Sequence, residues 1–228
     1  MQMIFQDAFA SLNPRLSVEE IIRDPLRNYE GLGAKEVAAR VDELLEMVGL
    51  ESRARLRYPH EFSGGQRQRI AIARALALKP RLLVCDECVA SLDVSIQAQI
   101  LQLIQSLKEK LGLSLLFISH DLAVINYISD RVAVMYLGKI VEILEVGSLI
   151  EAARHPYTQA LFAAVPLPDP AQRNVAQLLL RGEPPNPLNR PAGCSFHPRC
   201  PQAMERCRQE EPVIREISPR HWVACHRI

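Results

Sequence analysis

The sequence lacks the features that would place a protein inside a membrane or on a nucleic acid. No apolar stretch approaches the ~18 consecutive residues that a membrane-spanning helix needs. The formal net charge is only +1, which argues against a nucleic acid or an anionic lipid surface as the main partner. Residues 1–5 have neither the basic start nor the cleavage site of a signal peptide. We therefore expect any membrane contact to be made through a protein partner.

A glycine turn leads into an arginine-rich, apolar stretch at residues 62–76. Ser63 and Gln66 have the spacing of a capping box, in which each side chain bonds to a free backbone amide. Gly64 and Gly65 leave the first amides of the helix open to a ligand, and the helix dipole favours an anion there. An ordinary capped helix is the alternative, and the motif alone would favour it. With the motifs that follow, the pattern predicts a phosphate-binding helix N-terminus.

Two adjacent carboxylates end a predicted buried strand, because the apolar run at residues 82–85 is followed by Asp86 and Glu87. The carboxyl ends of strands in open α/β sheets are where ligands bind. Asp86 can hold a magnesium ion, directly or through water, while Glu87 can orient or deprotonate a water that attacks a phosphate. Alternatively, the two acids begin the next helix.

A second predicted buried strand, from Leu113 to Ser119, ends in His120. This position places the histidine on the same sheet edge as the two acids, where a neutral imidazole could bond a terminal phosphate or the attacking water. Taken alone, it is better explained as a capping or core histidine. Together with Asp93, which follows Ser91 and Leu92, these residues form a set suited to nucleotide hydrolysis.

This set resembles the motifs of the ATP-binding subunits of ABC transporters. Residues 62–66 occupy the place of the signature loop, residues 82–87 that of the Walker B strand with its catalytic glutamate, and residues 89–93 that of the D-loop. His120 stands in the place of the switch histidine and Gln6 in that of the Q-loop glutamine. The resemblance implies an α/β fold with a P-loop NTPase core of the ABC type.

Three further stretches narrow the resemblance to the oligopeptide and dipeptide importer branch. They are residues 10–15, the His-Pro-Tyr-Thr at 155–158 and the proline-rich run at 182–188. The resemblance implies a subunit that energises peptide import by binding and hydrolysing ATP with magnesium. It also implies a second ATP-binding subunit, two transmembrane permease subunits and, indirectly, an extracytoplasmic substrate-binding protein as partners, with no nucleic acid. The implied location is the cytoplasmic face of the bacterial cell membrane.

The same resemblance implies a role for each motif residue. Each ATP would lie between two subunits, so that the signature loop of one faces the nucleotide held by the other. Glu87 and His120 are the implied catalytic residues, and Asp86 is the implied magnesium ligand. The implied nucleotide-binding residues are Gln6, Ser63, Gly64, Gly65, Gln66 and Asp93.

The glycine-rich loop that ends in Gly-Lys-Ser or Gly-Lys-Thr, which holds phosphates in this class, is not found. The only Gly-Lys pair is at residues 138–139, and Ile140 follows it. In the family this loop precedes the Q-loop, and here the Q-loop glutamine is the sixth residue. We expect the amino-terminal part of the domain to be missing, through truncation, a shifted start codon or gene decay. The 228-residue chain alone is then expected to be inactive.

A departure from the family lies beside the catalytic glutamate, where Cys88 replaces a usual proline. Proline restricts the backbone, so we expect the cysteine to loosen the segment that aims Glu87 and to reduce performance without abolishing it. Cys85 and Cys88 also form a C-x-x-C pattern. We interpret Cys85 as part of the strand rather than of a redox or metal site.

Four regions are expected along the chain. Residues 1–16 are a core remnant with the Q-loop, and residues 17–78 form a helical subdomain that ends in the signature motif and its helix. Residues 79–146 form the α/β core with Walker B, the D-loop and the switch histidine. Residues 147–228 form an irregular, cysteine-rich C-terminal extension, because prolines interrupt regular structure there.

Four of the six cysteines lie in this extension, namely Cys194, Cys200, Cys207 and Cys225. Their spacing fits neither a zinc-finger pair nor the ferredoxin run, so spacing alone does not name a metal. The resemblance implies an iron–sulfur cluster, with zinc as the next alternative and disulfides or free thiols after it. His197, His221 and His226 could substitute as ligands, although we interpret them as exposed loop histidines.

Two other functions share part of this pattern. One is a non-hydrolytic partner that supplies only its signature motif to another ATPase. The other is a soluble chromosome-maintenance or repair ATPase, which carries the same motifs but requires a long heptad insertion that the sequence does not contain.

Overall fold

The computed structural model describes residues 1–29, 31, 33–164, 182–183 and 185–228. The chain divides into two compact units, residues 1–128 and residues 129–228. Part of the 182–188 stretch, which supported the family resemblance, lies outside the described residues. Among the residues described, no helix is both long and apolar enough to cross a membrane.

The first unit combines a small sheet with six helices and two short 3₁₀ helices, Ser52–Leu56 and Pro59–Glu61. Its strands are β1 (Gln2–Ile4), β2 (Leu82–Asp86) and β3 (Ser114–Ile118). Its helices are α1 (Ala8–Ser11), α2 (Val18–Tyr29), α3 (Ala34–Met47), α4 (Gly64–Leu76), α5 (Val94–Leu111) and α6 (Leu122–Ile128).

The sheet of the first unit is parallel, with the strand order β1-β2-β3. The register pairs Ile4 with Cys85 and Asp86 with Ile118, so the three carboxyl ends lie at one edge. Helix α5 connects β2 to β3 in the way that parallel neighbours require. The topology thus brings the residues that follow β1, β2 and β3 together.

The prediction of a fully buried second strand is wrong for β3, in which half-buried and exposed positions alternate. Leu115 and Phe117 pack against the core, whereas Leu116 is 52% exposed and Ile118 is 44% exposed. A short apolar run is typical of a strand covered on both faces, but the same run also occurs in a strand with one open face. Sequence composition does not separate these two cases.

Helices α2 and α3 and two 3₁₀ helices lie between the Q-loop and the signature loop. Helix α2 begins after Ser17, whose hydroxyl accepts from the Glu20 amide while the Glu20 carboxylate accepts from the Ser17 amide at 2.8 Å. Helix α3 buries Val37, Val41, Leu44 and Leu45 along one face. It ends before Gly49, which has a φ of +72° and supplies the left-handed turn that closes the helix.

The second unit is built on an antiparallel sheet with the order β4-β5-β7-β6. Its strands are β4 (Arg131–Tyr136), β5 (Lys139–Glu145), β6 (Arg215–Ser218) and β7 (His221–Val223). Its helices are α7 (Leu149–Ala152), α8 (Pro156–Ala163) and α9 (Glu205–Gln209), with 3₁₀ turns at Val146–Ser148 and His197–Arg199. The segment expected to be irregular therefore contains two strands that extend the hairpin sheet.

An aromatic cluster forms part of the interior of the second unit. The Phe196 side chain is only 1% exposed, and its ring centroid lies 5.2 Å from that of Tyr136 and 5.4 Å from that of Tyr157. The His155 ring lies 5.6 Å from the same phenylalanine. Phe196 therefore packs in the interior of the second unit, whereas Trp222 is half-buried beneath the Arg131 guanidinium.

Candidate functional site

The carboxylate of Glu87 lies at the centre of the polar edge of the parallel sheet. Gln6, which follows β1, donates from Nε2 to Glu87 Oε2 at 2.7 Å. His120, which follows β3, places Nδ1 3.1 Å from Glu87 Oε1. The Glu87 side chain is 29% exposed and that of His120 is 73% exposed, so solvent reaches both. Three residues predicted from separate motifs thus meet at one accessible carboxylate.

The backbone at Glu87 has an unusual conformation, with a φ of +45°. Left-handed backbone is uncommon for a residue with a side chain, and such strain concentrates at functional sites. The amide of Glu87 donates to the carbonyl of Ile118 at 3.0 Å, which ties the residue to β3. The conformation aims the carboxylate at the residues beyond the neighbouring strands.

The cysteines beside Glu87 are buried, since Cys85 is 0% exposed and Cys88 is 1% exposed. A hydrogen bond with the Cys88 thiol, together with burial, raises the pKa of the Cys85 thiol. A protonated, enclosed thiol is a poor nucleophile and a poor metal ligand. This supports the interpretation of Cys85 as part of the strand.

Asp86 lies on the same side of the first unit as Gln6, and both line a cleft of about 850 Å³. Its carboxylate makes no hydrogen bond or ion pair to any residue that the structure describes. A free carboxylate at the end of a strand has the donor atoms that magnesium prefers. Arg74 also lines this cleft, where it donates to the carbonyl of Ser11 and burial lowers the pKa of its guanidinium.

The capping box predicted at the signature loop is present at the start of α4. The Gln66 amide donates to Ser63 Oγ at 3.3 Å, and the Ser63 amide donates to Gln66 Oε1 at 3.1 Å. Both side chains are exposed, so the N-terminus of this helix faces solvent. A 13-residue helix with an exposed N-terminus offers amides and a favourable dipole to an anion.

Gly64 and Gly65, which the sequence analysis treated alike, differ in what surrounds them. Gly64 is half-buried, and a Cβ there would meet Leu92 Cδ2 at an ordinary 3.4 Å. Gly65 is buried, and a Cβ there would lie 2.5 Å from Ile96 Cγ2 on α5. The second glycine is therefore required by the packing of α4 on α5, a reason that the motif did not reveal.

The side chain of Asp93 caps helix α5. Its Oδ1 accepts from the amide of Ile96 at 3.0 Å, and its backbone is extended as an N-cap requires. The residue is exposed, so the carboxylate combines a capping bond with access to solvent. Its predicted role in nucleotide binding remains a prediction.

The four cysteines of the second unit influence one another without forming a closed ligand shell. Burial raises the pKa of the Cys194 thiol, and the thiols of Cys207, Cys200 and Cys225 raise it further. The Cys194 amide donates to the Cys207 carbonyl at 2.8 Å, which holds their two segments together. Within the described ranges, however, no three Cys, His, Asp or Glu side chains are close enough to hold a metal ion.

The histidines near these cysteines are engaged elsewhere, and the interpretation of His221 as an exposed loop residue is wrong. His221 lies in β7, is 8% exposed and places Nε2 2.7 Å from Glu142 Oε1. His197 Nδ1 lies 3.0 Å from the Cys194 carbonyl, and His226 Nε2 lies 2.9 Å from the Glu210 carbonyl.

Glu142 is a buried acid that the sequence analysis missed. It is 0% exposed, and its carboxylate accepts from the amides of Arg154 at 2.8 Å and His155 at 3.0 Å, in addition to the His221 ring. The signal was available, because Glu142 interrupts an otherwise apolar run in β5. A charge placed among buried strand positions indicates a specific set of partners.

Comparison with protein families gives two matches within the chain. Residues 1–90 match the family model described as ABC transporter. Residues 141–207 match the model described as the C-terminal region of oligopeptide/dipeptide transporters. The second match includes the His-Pro-Tyr-Thr motif and three of the four C-terminal cysteines.

Several curated proteins are similar over nearly the whole chain. A probable peptide ABC transporter ATP-binding protein of Sinorhizobium fredii is 52% identical over 99% of this chain. The putative oligopeptide transport ATP-binding protein YkfD of Bacillus subtilis is 51% identical over 99% of it, and the oligopeptide transport ATP-binding protein OppF of Escherichia coli is 53% identical over all of it. This chain spans 64% of the first relative's length and 69% of the length of each of the other two.

A solved structure supports the fold. The structure of cbiO1 from Clostridium perfringens, part of the ABC transporter complex cbiONQ, aligns with a TM-score of 0.60 and 28% identity. The alignment covers 66% of this chain and 59% of that one. The predicted α/β fold of the ABC ATPase type is confirmed.

Proposed function

Because this chain belongs to the ATP-binding subunits of ABC transporters, in the oligopeptide and dipeptide group, we propose that it energises peptide import by binding and hydrolysing ATP. The observation that carries this proposal is the Glu87 carboxylate held between Gln6 and His120 at the strand ends. The proposed partners are a second ATP-binding subunit, two permease subunits and, indirectly, an extracytoplasmic substrate-binding protein. The proposed location is the cytoplasmic face of the cell membrane.

The signature loop contributes to nucleotide binding across the interface with the second subunit. Ser63, Gly64 and Gln66 lie at an accessible helix N-terminus, where amides and the helix dipole stabilise phosphate charge. Gly65 contributes indirectly. Because it has no side chain, α4 can pack closely against Ile96 of α5, the helix that Asp93 caps. Asp93, at the start of that helix, contributes to the same interface.

The strand-end residues hold and direct the attacking water. The Asp86 carboxylate, unpaired among the described residues, holds magnesium, which when bound neutralises phosphate charge. Glu87 orients the water and accepts its proton as the water oxygen attacks the terminal phosphorus and the bond to the leaving phosphate breaks. Gln6 and His120 keep the carboxylate oriented, and the His120 ring also bonds the terminal phosphate or the water.

The four C-terminal cysteines are proposed to hold an iron–sulfur cluster, with zinc as the alternative. The mutual effect of the thiols on the pKa of Cys194 and the backbone bond from Cys194 to Cys207 support this proposal. The described thiols would have to draw closer to bind a metal. Iron, acid-labile sulfide and zinc contents of protein purified without oxygen test it, and a preparation that holds none of the three contradicts it.

The proposed hydrolysis is tested by the variant Glu87→Gln in a transporter assembled with a chain that carries a Gly-Lys-Ser loop added upstream of residue 1, with the ATP turnover rate as the readout. Loss of a general base lowers a rate by roughly 10²–10⁴-fold, and we expect a loss of that size. Glu109→Gln, on the exposed surface of α5, is the matched control and should leave turnover unchanged.

The same assay distinguishes ATP hydrolysis by this chain from the alternative of a non-hydrolytic partner subunit. If Glu87→Gln leaves turnover intact while a charge at Ser63 abolishes it, the chain supplies only its signature motif to a partner. The 228 residues contain no Gly-Lys-Ser or Gly-Lys-Thr loop, so we expect background hydrolysis from this chain alone.

A further inference from the structure

The second unit contains a pocket of about 620 Å³, and Cys194 is the one lining residue to which a role is proposed above. Apolar side chains dominate its wall, among them Ile140, Phe196, Val213 and Ile214. Pockets of this volume that combine an apolar wall with a few polar groups are typical sites for small ligands. The polar groups of this pocket therefore decide which ligand fits.

A pair of opposite charges belongs to the lining of this pocket. Lys139 Nζ lies 2.8 Å from Glu211 Oε1, and their side chains are 48% and 59% exposed. An ion pair this exposed contributes little to stability, so competing charges can open it at small cost. A ligand with one positive and one negative end can replace the Lys139–Glu211 ion pair by two new ion pairs, one with each residue.

The lining also includes the ring of Tyr136. Tyr136 is 5% exposed, and its hydroxyl makes no hydrogen bond to any described residue. The ring is fixed by Tyr157 at 4.7 Å and Phe196 at 5.2 Å, so the hydroxyl has little freedom to find another partner. The hydroxyl itself has no accessible surface, so it is the ring of Tyr136 that contributes to the wall of the pocket.

We propose that this pocket binds a small zwitterion with apolar side chains, namely an apolar dipeptide or amino acid. The ligand carboxylate pairs with Lys139, its ammonium group pairs with Glu211, and its apolar side chains contact the wall formed by Ile140 and Ile214. The proposal does not rest on the proposed ATP hydrolysis, because the pocket and its charges lie within the second unit.

The first test measures ligand binding to the 228-residue chain by isothermal titration calorimetry. Leucyl-leucine is expected to bind saturably with one molecule per chain. Acetylation of its amino end, or amidation of its carboxyl end, should weaken binding about fivefold, the value of one exposed ion pair. Glycyl-glycine should bind at least about tenfold more weakly, because it buries no apolar side chain.

The second test uses variants of the charged pair. Lys139→Gln should weaken leucyl-leucine binding about fivefold and remove the difference between the free and the amidated peptide. Glu211→Gln should do the same for the acetylated peptide. Arg220→Gln is the matched control, because Arg220 forms a similar exposed pair with Glu145 at 2.8 Å whose residues do not line the pocket. This control should leave binding unchanged.

The proposal is overturned if leucyl-leucine shows no saturable binding, or if both blocked peptides bind as well as the free one. These two outcomes need no variant, so they stand even if a substitution disturbs folding.

Discussion

Two glutamates, one in each unit, contact a histidine in entirely different surroundings. Glu87 is 29% exposed, its His120 partner is 73% exposed, and their closest atoms are 3.1 Å apart. Glu142 is fully buried, and its His221 partner approaches to 2.7 Å with a side chain that is 10% exposed. The first carboxylate can exchange its partners for a substrate or water, whereas the second has no solvent to exchange with.

The backbone contacts of the two carboxylates deepen this contrast. Glu142 accepts two main-chain amides, from Arg154 and His155, and thereby joins β5 to the start of α8. Both bonds to Glu87 come instead from side chains that follow other strands, Gln6 and His120. Burial and main-chain partners suit a carboxylate that stabilises the fold, while exposed side-chain partners suit one that takes part in chemistry.

The largest expected effect comes from the same isosteric change at both glutamates. Glu142→Gln replaces one carboxylate oxygen by an amide donor that faces buried donors, so the free energy of unfolding should fall by about 3 kcal/mol. Glu87→Gln should change it by no more than about 0.5 kcal/mol, because solvent compensates at an exposed position. Urea denaturation of both variants measures the difference. Equal losses would show that the two glutamates do not differ in structural role.

Acidification should lower the free energy of unfolding by a similar amount, through the buried cluster around Glu142. Burial lowers the pKa of His155 from its usual 6.5 to about 4, an effect that the Glu142 charge partly offsets. Between these two values the unfolded chain binds a proton that the folded chain excludes. Stability is therefore complete above pH 6.5 and is lost as the pH falls towards 4, by roughly 3 kcal/mol from this group.

Denaturation at several pH values compares the wild type with His155→Asn, which keeps a side chain able to cap α8. The pH dependence of the free energy of unfolding should flatten in this variant. His120→Asn, at an exposed histidine, is the matched control. A profile that is as steep in His155→Asn as in the control would contradict the assignment to the buried ring.

The residues at the polar edge of the first unit could be predicted from the sequence far better than the buried cluster around Glu142 in the second. Glu87 and His120 were placed by one rule, that parallel strands share a carboxyl edge, and the rule needs only the strands to be recognised. Glu142 depends on contacts with residues 12, 13 and 79 positions away, which no local pattern specifies. The open face of β3 was missed for the same reason, because an apolar run in the sequence does not indicate whether other residues pack on both faces of the strand.

Gly65 shows where the first unit is as tightly packed as the second. In Gly65→Ala the new Cβ would lie 2.5 Å from Ile96 Cγ2, so we expect a loss of about 1–3 kcal/mol in the free energy of unfolding. Gly64→Ala is the matched control, since its Cβ meets Leu92 at an ordinary distance and should change stability by no more than about 0.5 kcal/mol. Ile96→Ala should reduce the penalty in the double variant, and a double-mutant cycle that shows no coupling would exclude this contact as the cause.

The smallest change tests whether Ser63 serves the fold, as Glu142 does, or a ligand, as we propose for Glu87. Ser63→Ala removes the cap of α4 and should cost about 1 kcal/mol of unfolding free energy. Ser63→Asp keeps the cap, because aspartate is as good an N-cap as serine, and stability should stay near that of the wild type. The added negative charge nevertheless repels a phosphate at this helix N-terminus, so ATP turnover of the assembled transporter should fall at least about tenfold. If Ser63→Asp retained full turnover, the capping box would be a structural feature alone, and the exposed helix end would have no part in binding nucleotide.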